Sequence, residues 1–309
     1  MTAARFAGAT ILLAALAGCG GSSAEASPST TTSAGSTSTS TSTVDVGALE
    51  LGSEDRPAPL VAPDEVTAPA PLLLLLHGYR SDAVRQDAYL GVTEQARSRG
   101  LYVLLPDGTP EPSGKRFWDA TPACCNFTGN PVDDVTYLQG LIDEAIAARP
   151  IDPDRIYVFG HSNGGFMAYR LACELADQLT AVAVLAGSDQ PDDDDCRPSR
   201  PVSVLHLHGT GDQVIAYEGG QITAPYPGAV ETVARWAARG ECDQTPTAGS
   251  PIDLVPAIDG AETEVVTFGG CAEGIDVQLD SIEGGGHIPD FDQDRVGVDV
   301  LGWLLDHAR

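Results

Sequence analysis

Residues 156–177 constrain the fold more than any other stretch of the chain. Ile156 to Gly160 is an apolar run of strand length, and helical spacing follows from about Asn163 to Asp177. Between them stands Gly160-His161-Ser162-Asn163-Gly164-Gly165. Glycines on both sides of the serine let the chain turn sharply without a side-chain clash. A strand buried on both faces that passes straight into a helix belongs to a parallel sheet with helices packed on it.

The rest of the chain repeats that alternation. Leu72 to Leu76 reads as a buried strand ending in His77-Gly78, and residues 83–98 carry helical spacing up to Gly100. Leu101 to Leu105 is the next strand, stopped by Pro106-Asp107-Gly108, and a long loop with Trp118, Cys124, Cys125 and Pro131 follows. Asp133 and Asp134 open a helix to about Ala148, where capping free amides is their expected role. Strands are expected over 180–185, 202–208, 264–268 and 277–282, and helices over 229–239 and 293–307. Strands alternating with helices predict an α/β fold, one doubly wound and mostly parallel sheet with helices on both faces. No internal repeat or second folded domain is visible.

The amino terminus has a different character. After Arg5, the apolar run Ala7 to Ala17 is too short to span a bilayer and has the length of a signal-peptide core. Leu16-Ala17-Gly18-Cys19 resembles the lipobox of bacterial lipoproteins, in which the cysteine is lipidated. Residues 20–43 are dominated by Ser, Thr, Gly and Ala and bury too little apolar area to offset their ordering entropy. The expected plan is a lipoprotein signal at 1–19 with Cys19 as the anchor, a disordered tether at 20–43 and a catalytic domain at 44–309. The chain is then extracellular, surface-anchored or secreted, and meets the membrane only through its lipid. Of seven cysteines, six remain beside Cys19, an even number that suits disulfides in an exported protein.

The formal charge of −27 argues against nucleic acid and polyanionic substrates, which need clustered Lys and Arg. The run Asp192 to Asp195 lacks the alternating spacing of a calcium loop and reads as a solvated surface.

A serine hydroxyl needs a base, and the base needs an orienting carboxylate, in the chain order Ser, acid, His. His208-Gly209-Thr210-Gly211-Asp212 follows one buried strand and Glu283-Gly284-Gly285-Gly286-His287 another, so both loops belong at the carboxyl edge of the sheet, where chemistry gathers. Ser162, Asp212 and His287 are therefore the candidate catalytic residues. His206 and His208 precede the acid, in the wrong order for a base, and Asp290 is a weaker acid candidate than Asp212. The amides of Asn163 and Tyr79 are the candidate oxyanion donors. Trp118 is a candidate substrate contact, placed to stack on an aromatic acyl group or a sugar or else to pack under its loop. His161, inside the turn, is a candidate contact whose side chain is also expected to pack.

Leu76-His77-Gly78, Trp118 with Cys124-Cys125, Asp133-Asp134, Gly160 to Gly165, His208 to Asp212 and Gly285-Gly286-His287 together resemble extracellular polyhydroxybutyrate depolymerases and the related feruloyl and acetylxylan esterases of the α/β-hydrolases. The resemblance runs from about Pro71 to the carboxyl terminus. It implies a single-domain secreted serine esterase with no metal or cofactor, a monomer acting on a small ester, a polyester oligomer or a polysaccharide ester, and the triad Ser162, Asp212 and His287. Relatives often carry Trp-Pro after the catalytic histidine, whereas this chain has His287-Ile288-Pro289, so an aromatic wall is missing. On that topology Cys173–Cys196 and Cys242–Cys271 are plausible pairs. Cys124 and Cys125 are left as an unusual vicinal bridge, with pairing to Cys173 or Cys196 as the alternative. A serine peptidase and a non-catalytic binding protein are the competing readings.

Overall fold

The computed structural model describes residues 48–66 and 69–309. The expected signal, the Cys19 anchor and the expected tether lie outside the described residues. No helix among those described is long and apolar enough to cross a membrane.

Ten strands form the central sheet: β1 (Leu49–Ser53), β2 (Arg56–Val61), β3 (Ala70–Leu76), β4 (Tyr102–Leu104), β5 (Ile151–His161), β6 (Ala181–Leu185), β7 (Ser203–Gly209), β8 (Thr247–Ala248), β9 (Thr263–Phe268) and β10 (Val277–Ile282), in the spatial order β1-β2-β4-β3-β5-β6-β7-β10-β9-β8. From β4 to β10 all pairings are parallel, and the pairs at both edges are antiparallel. Side chains alternate across a strand, so the leucine run of β3 feeds two cores. Leu72, Leu74 and Leu76 share one with Val158, Val182 and Val184, beneath α3 (Asp134–Ala148), α4 (Asn163–Glu174) and α5 (Ala229–Arg239). Leu73 and Leu75 share the other with Tyr157, Phe159 and Leu185, beneath α1 (Ala83–Leu90), α2 (Val92–Ser98) and the carboxyl-terminal helix.

Three expectations about elements need correction. The helix expected over 83–98 is two helices, broken where Gly91 takes a left-handed φ of 64° and caps α1. The last helix carries a π-helical turn, Val296–Val300. Asp133 caps α3 by accepting from the Thr136 amide, but Asp134 is no cap. Its buried carboxylate pairs with Arg56 Nη2 at 2.6 Å and accepts from the Asp119 amide at 2.7 Å, tying the long loop to β2.

The described cysteines pair as Cys124–Cys125, Cys173–Cys196 and Cys242–Cys271. The second bridge anchors the end of α4 to the acidic loop, and the third closes the excursion between α5 and β10 that carries β8 and β9.

Candidate active site

The parallel strands deliver four loops to one edge, and the site is built where they meet. β5 is followed directly by Ser162, whose φ of 55° and ψ of −120° are strained for a residue with a side chain. The turn holds because its neighbours are close. A Cβ at Gly160 would lie 2.1 Å from the Gly164 carbonyl oxygen, and one at Gly164 would lie 2.2 Å from that of Leu76. The Ser162 amide donates to the Leu185 carbonyl of β6 at 2.8 Å, which pins the serine across the sheet.

The loops after β7 and β10 are zipped together by backbone. Gly211 N–H donates to Gly285 O at 2.9 Å, Thr210 N–H to Ile282 O at 2.9 Å, and Gly284 N–H to Thr210 Oγ1 at 2.9 Å. Only a glycine fits at 209, since a Cβ there would meet the Gly285 carbonyl at 2.2 Å. This contact sets Asp212 beside His287: His287 Nδ1 is 2.7 Å from Asp212 Oδ2, and His287 Nε2 is 2.9 Å from Ser162 Oγ. With the Nδ1 proton donated to the carboxylate, Nε2 is free to accept the serine proton.

Asp212 has no exposed side-chain surface. Burial opposes its charge, but the hydrogen bonds from His208, His287 and the Val214 amide outweigh burial and hold the carboxyl well below the usual carboxylate range. Oδ1 accepts from the Val214 and Ile215 amides at 2.7 and 3.0 Å, leaving Oδ2 for the histidines.

Two amides beside the serine have no acceptor among the described residues. One belongs to Asn163, at the start of α4, and the other to Tyr79, after β3. Gly78 brings the Tyr79 loop against the serine: a Cβ there would lie 3.3 Å from Ser162 Cβ. The Asn163 side chain fixes the other wall, accepting from Trp118 N–H at 2.7 Å and donating to Trp118 O at 3.0 Å. A cleft of about 260 Å³ opens over Ser162 and His287, lined also by Tyr79, Arg85, Tyr89 and Ile288.

One expected contact is corrected, and the other packs at the border of the cleft. Trp118 is completely buried, donating Nε1–H to the His77 carbonyl at 2.9 Å and packing on the His77 ring, so it has no face to offer a substrate. His161 borders the cleft but is 5% exposed, and its Nε2 lies 3.1 Å from the His287 carbonyl. It props the backbone of His287, and burial lowers its pKa to about 4, so the ring is neutral. The reading from sequence missed Gln86 and Tyr89. Gln86 Oε1 accepts from the Gly78 amide at 3.2 Å, and Tyr89 Oη donates to the Pro289 carbonyl at 2.7 Å. Their spacing of three along α1, which puts both on one helix face, was the available signal.

The phospholipase/carboxylesterase family model matches residues 132–234, which hold the serine turn and Asp212. The chain is 31% identical over 243 residues to feruloyl esterase B of Piromyces equi, covering 76% of this chain and 41% of that protein. It is 25% identical over 246 residues to a bifunctional acetylxylan esterase/xylanase of Neocallimastix patriciarum, covering 79% of this chain and 33% of that one. The chain thus spans less than half the length of either curated relative. Among solved structures, the acetyl xylan esterase from Aspergillus awamori superposes with a TM-score of 0.62 at 13% identity, over 84% of this chain and 99% of that one.

The chain has the α/β-hydrolase fold. These relatives carry the names of feruloyl and acetylxylan esterases, the group the sequence motifs resemble. The six-stranded parallel centre, with Ser162 between β5 and α4, is the α/β-hydrolase arrangement of sheet and serine turn.

Proposed function

We propose that this α/β-hydrolase cleaves carboxylic esters through an acyl-enzyme on Ser162. The observation that carries the reading is the continuous chain Ser162 Oγ–His287–Asp212, at 2.9 and 2.7 Å, beside the two unpaired amides. Ser162 gives its proton to His287 Nε2 as Oγ attacks the ester carbonyl. The negative charge that forms on the carbonyl oxygen is met by the Tyr79 and Asn163 amides, assisted by the positive end of α4. His287 returns the proton to the departing alcohol. Water then enters and gives a proton to His287 as its oxygen attacks the acyl carbon; the bond to Ser162 Oγ breaks, the acid leaves, and His287 returns the proton to Oγ. Asp212 stays ionised throughout and faces the imidazolium.

The names of the matched relatives favour feruloyl or acetyl esters of plant polysaccharides, and the motif resemblance adds hydroxybutyrate oligomers as a second class. Tyr79, Tyr89 and Ile288 offer apolar surface for the acyl group. The short apolar run before Cys19 and the three disulfides support an exported, lipid-anchored enzyme.

The test is hydrolysis of p-nitrophenyl acetate and butyrate, methyl ferulate, acetylated xylan and hydroxybutyrate oligomers, beside Ser162→Ala. Activity that disappears in the variant supports the serine esterase, and the preferred ester sets the substrate class. A folded protein inert to every ester but active on peptides would overturn it. Labelling of Cys19 by a fatty-acid probe in a bacterial host tests the anchor.

A further inference from the structure

Behind Asp212 runs a buried polar chain that the proposed mechanism leaves unused. Tyr169 Oη is 2.6 Å from His206 Nδ1, His206 Nε2 is 3.1 Å from His208 Nδ1, and His208 Nε2 is 2.8 Å from the Ile215 carbonyl and 3.4 Å from Asp212 Oδ2. All three side chains are at most 1% exposed. The spacing of two along β7 puts both histidines on one face of the sheet, toward α4 and its Tyr169.

The directions of these hydrogen bonds follow from the far end. A carbonyl only accepts, so His208 Nε2 carries a proton. If the ring is neutral, His208 Nδ1 is bare and must accept from His206 Nε2–H. His206 Nδ1 is then bare in turn and accepts the Tyr169 hydroxyl proton. Every member is satisfied in this arrangement, and reversing any one link would set two acceptors or two donors face to face. A satisfied buried network has one low-energy arrangement and resists rotation of its rings.

We infer that His208 is a positioning residue for Asp212, locked by Tyr169 and His206 so that its Nε2–H bridges the Ile215 carbonyl and the Asp212 oxygen that also serves His287. The inference rests on the ester-hydrolase reading of that site. Oδ1 is already held by two amides, so His208 is the fixed partner that defines where Oδ2 sits when His287 turns toward the serine. Tyr217 closes the other side, its ring edge-on to His208 at 5.6 Å and its hydroxyl 2.7 Å from Ser281 Oγ.

Two experiments test this. The first needs no variant. Nitrogen NMR of the full chain, labelled at histidine, reads which ring nitrogen of His206 and His208 carries the proton. Both should be Nε2–H tautomers. An Nδ1–H tautomer or a doubly protonated ring at His208 overturns the inference, whatever the enzyme hydrolyses.

The second compares two amides of different reach. In His208→Gln the side-chain nitrogen reaches the position of Nε2, whereas in His208→Asn it stops at that of Nδ1. On the best ester of the panel, His208→Asn should lose about tenfold or more in kcat, the scale on which removing the partner that orients a metal ligand lowers activity in metal sites, with KM little changed. His208→Gln should recover most of that loss. Equal kcat in the two folded variants sinks the positioning role. Ser162→Ala separates the two readings: a wild type with no serine-dependent activity fails the proposed function, while an active wild type with matching Asn and Gln variants fails this inference alone.

Discussion

Asp212 and Asp280 are both buried, one in the loop after β7 and one within the adjoining β10, yet the protein treats their charge in opposite ways. At Asp212 burial works against ionisation, but donors from His208, His287 and the backbone prevail and keep the carboxylate charged. At Asp280 burial prevails. Gln278 Nε2 donates to it at 2.8 Å, Asp299 adds a second negative charge, and the carboxyl is pushed up to about 7. Both side chains are closed to solvent, but Asp280 lies deeper in the protein and has one donor where Asp212 has several, so depth and donors act together. A loop whose amides converge on one oxygen can hold a charge. A strand interior, whose amides are spent on the ladder, cannot.

The sharpest way to break this comparison is Asp212→Asn. Without the charge His287 loses its orientation and tautomer, and kcat should fall by about 10⁴, the scale of that change in serine triads. A fall below tenfold in steady-state assays would assign the acid to another residue, with Asp290 the first to examine.

Arg56→Leu asks what an unsupported buried carboxylate costs. Asp134 would keep only the Asp119 amide, and urea denaturation should show a loss of about 3 kcal/mol with the site left in place. An unchanged midpoint would mean that Asp134 is protonated or hydrated.

Asp280→Asn sharpens the contrast by pH. The folded value of about 7 lies above the unfolded value of about 4, so stability is full below about pH 4 and is lost as the pH rises to about 7. The variant escapes that loss. It should be more stable than wild type at pH 8 by up to about 4 kcal/mol and have no advantage at pH 4, as read from denaturation at both. An equal difference at the two pH values would show that folding leaves the Asp280 carboxyl at its ordinary value.

Trp118→Phe is the smallest change. Loss of the bond to the His77 carbonyl should cost about 1 kcal/mol, and KM for methyl ferulate should not move. A rise in KM alone would return Trp118 to the substrate site.

Much of this arrangement was legible in the sequence, and the exceptions share a cause. Ser162, Asp212 and His287 each follow an apolar strand, and parallel strands must release their loops at one edge, so covalent order and strand direction sufficed to group them. Trp118 looks the same in sequence whether its ring faces a cleft or the core. The outcome turned on a hydrogen bond to His77, 41 residues away. Asp133 and Asp134 are chemically alike, yet one caps a helix and the other pairs with Arg56, because the first faces solvent and the second faces β2.

His206 and His208 show the same boundary. Their spacing puts two imidazoles on one face of β7, which local geometry dictates. That Tyr169 waits at one end and Asp212 at the other depends on how α4 and the β7 loop pack on the sheet. By itself the sequence determined the alternation of strands and helices, the edge where the loops gather and the order of Ser162, Asp212 and His287, since these follow from periodicity and chain direction. Tertiary structure alone decided which buried polar groups find partners. Hydrogen bonds act over about 3 Å between residues far apart in the chain, and no local pattern encodes that meeting.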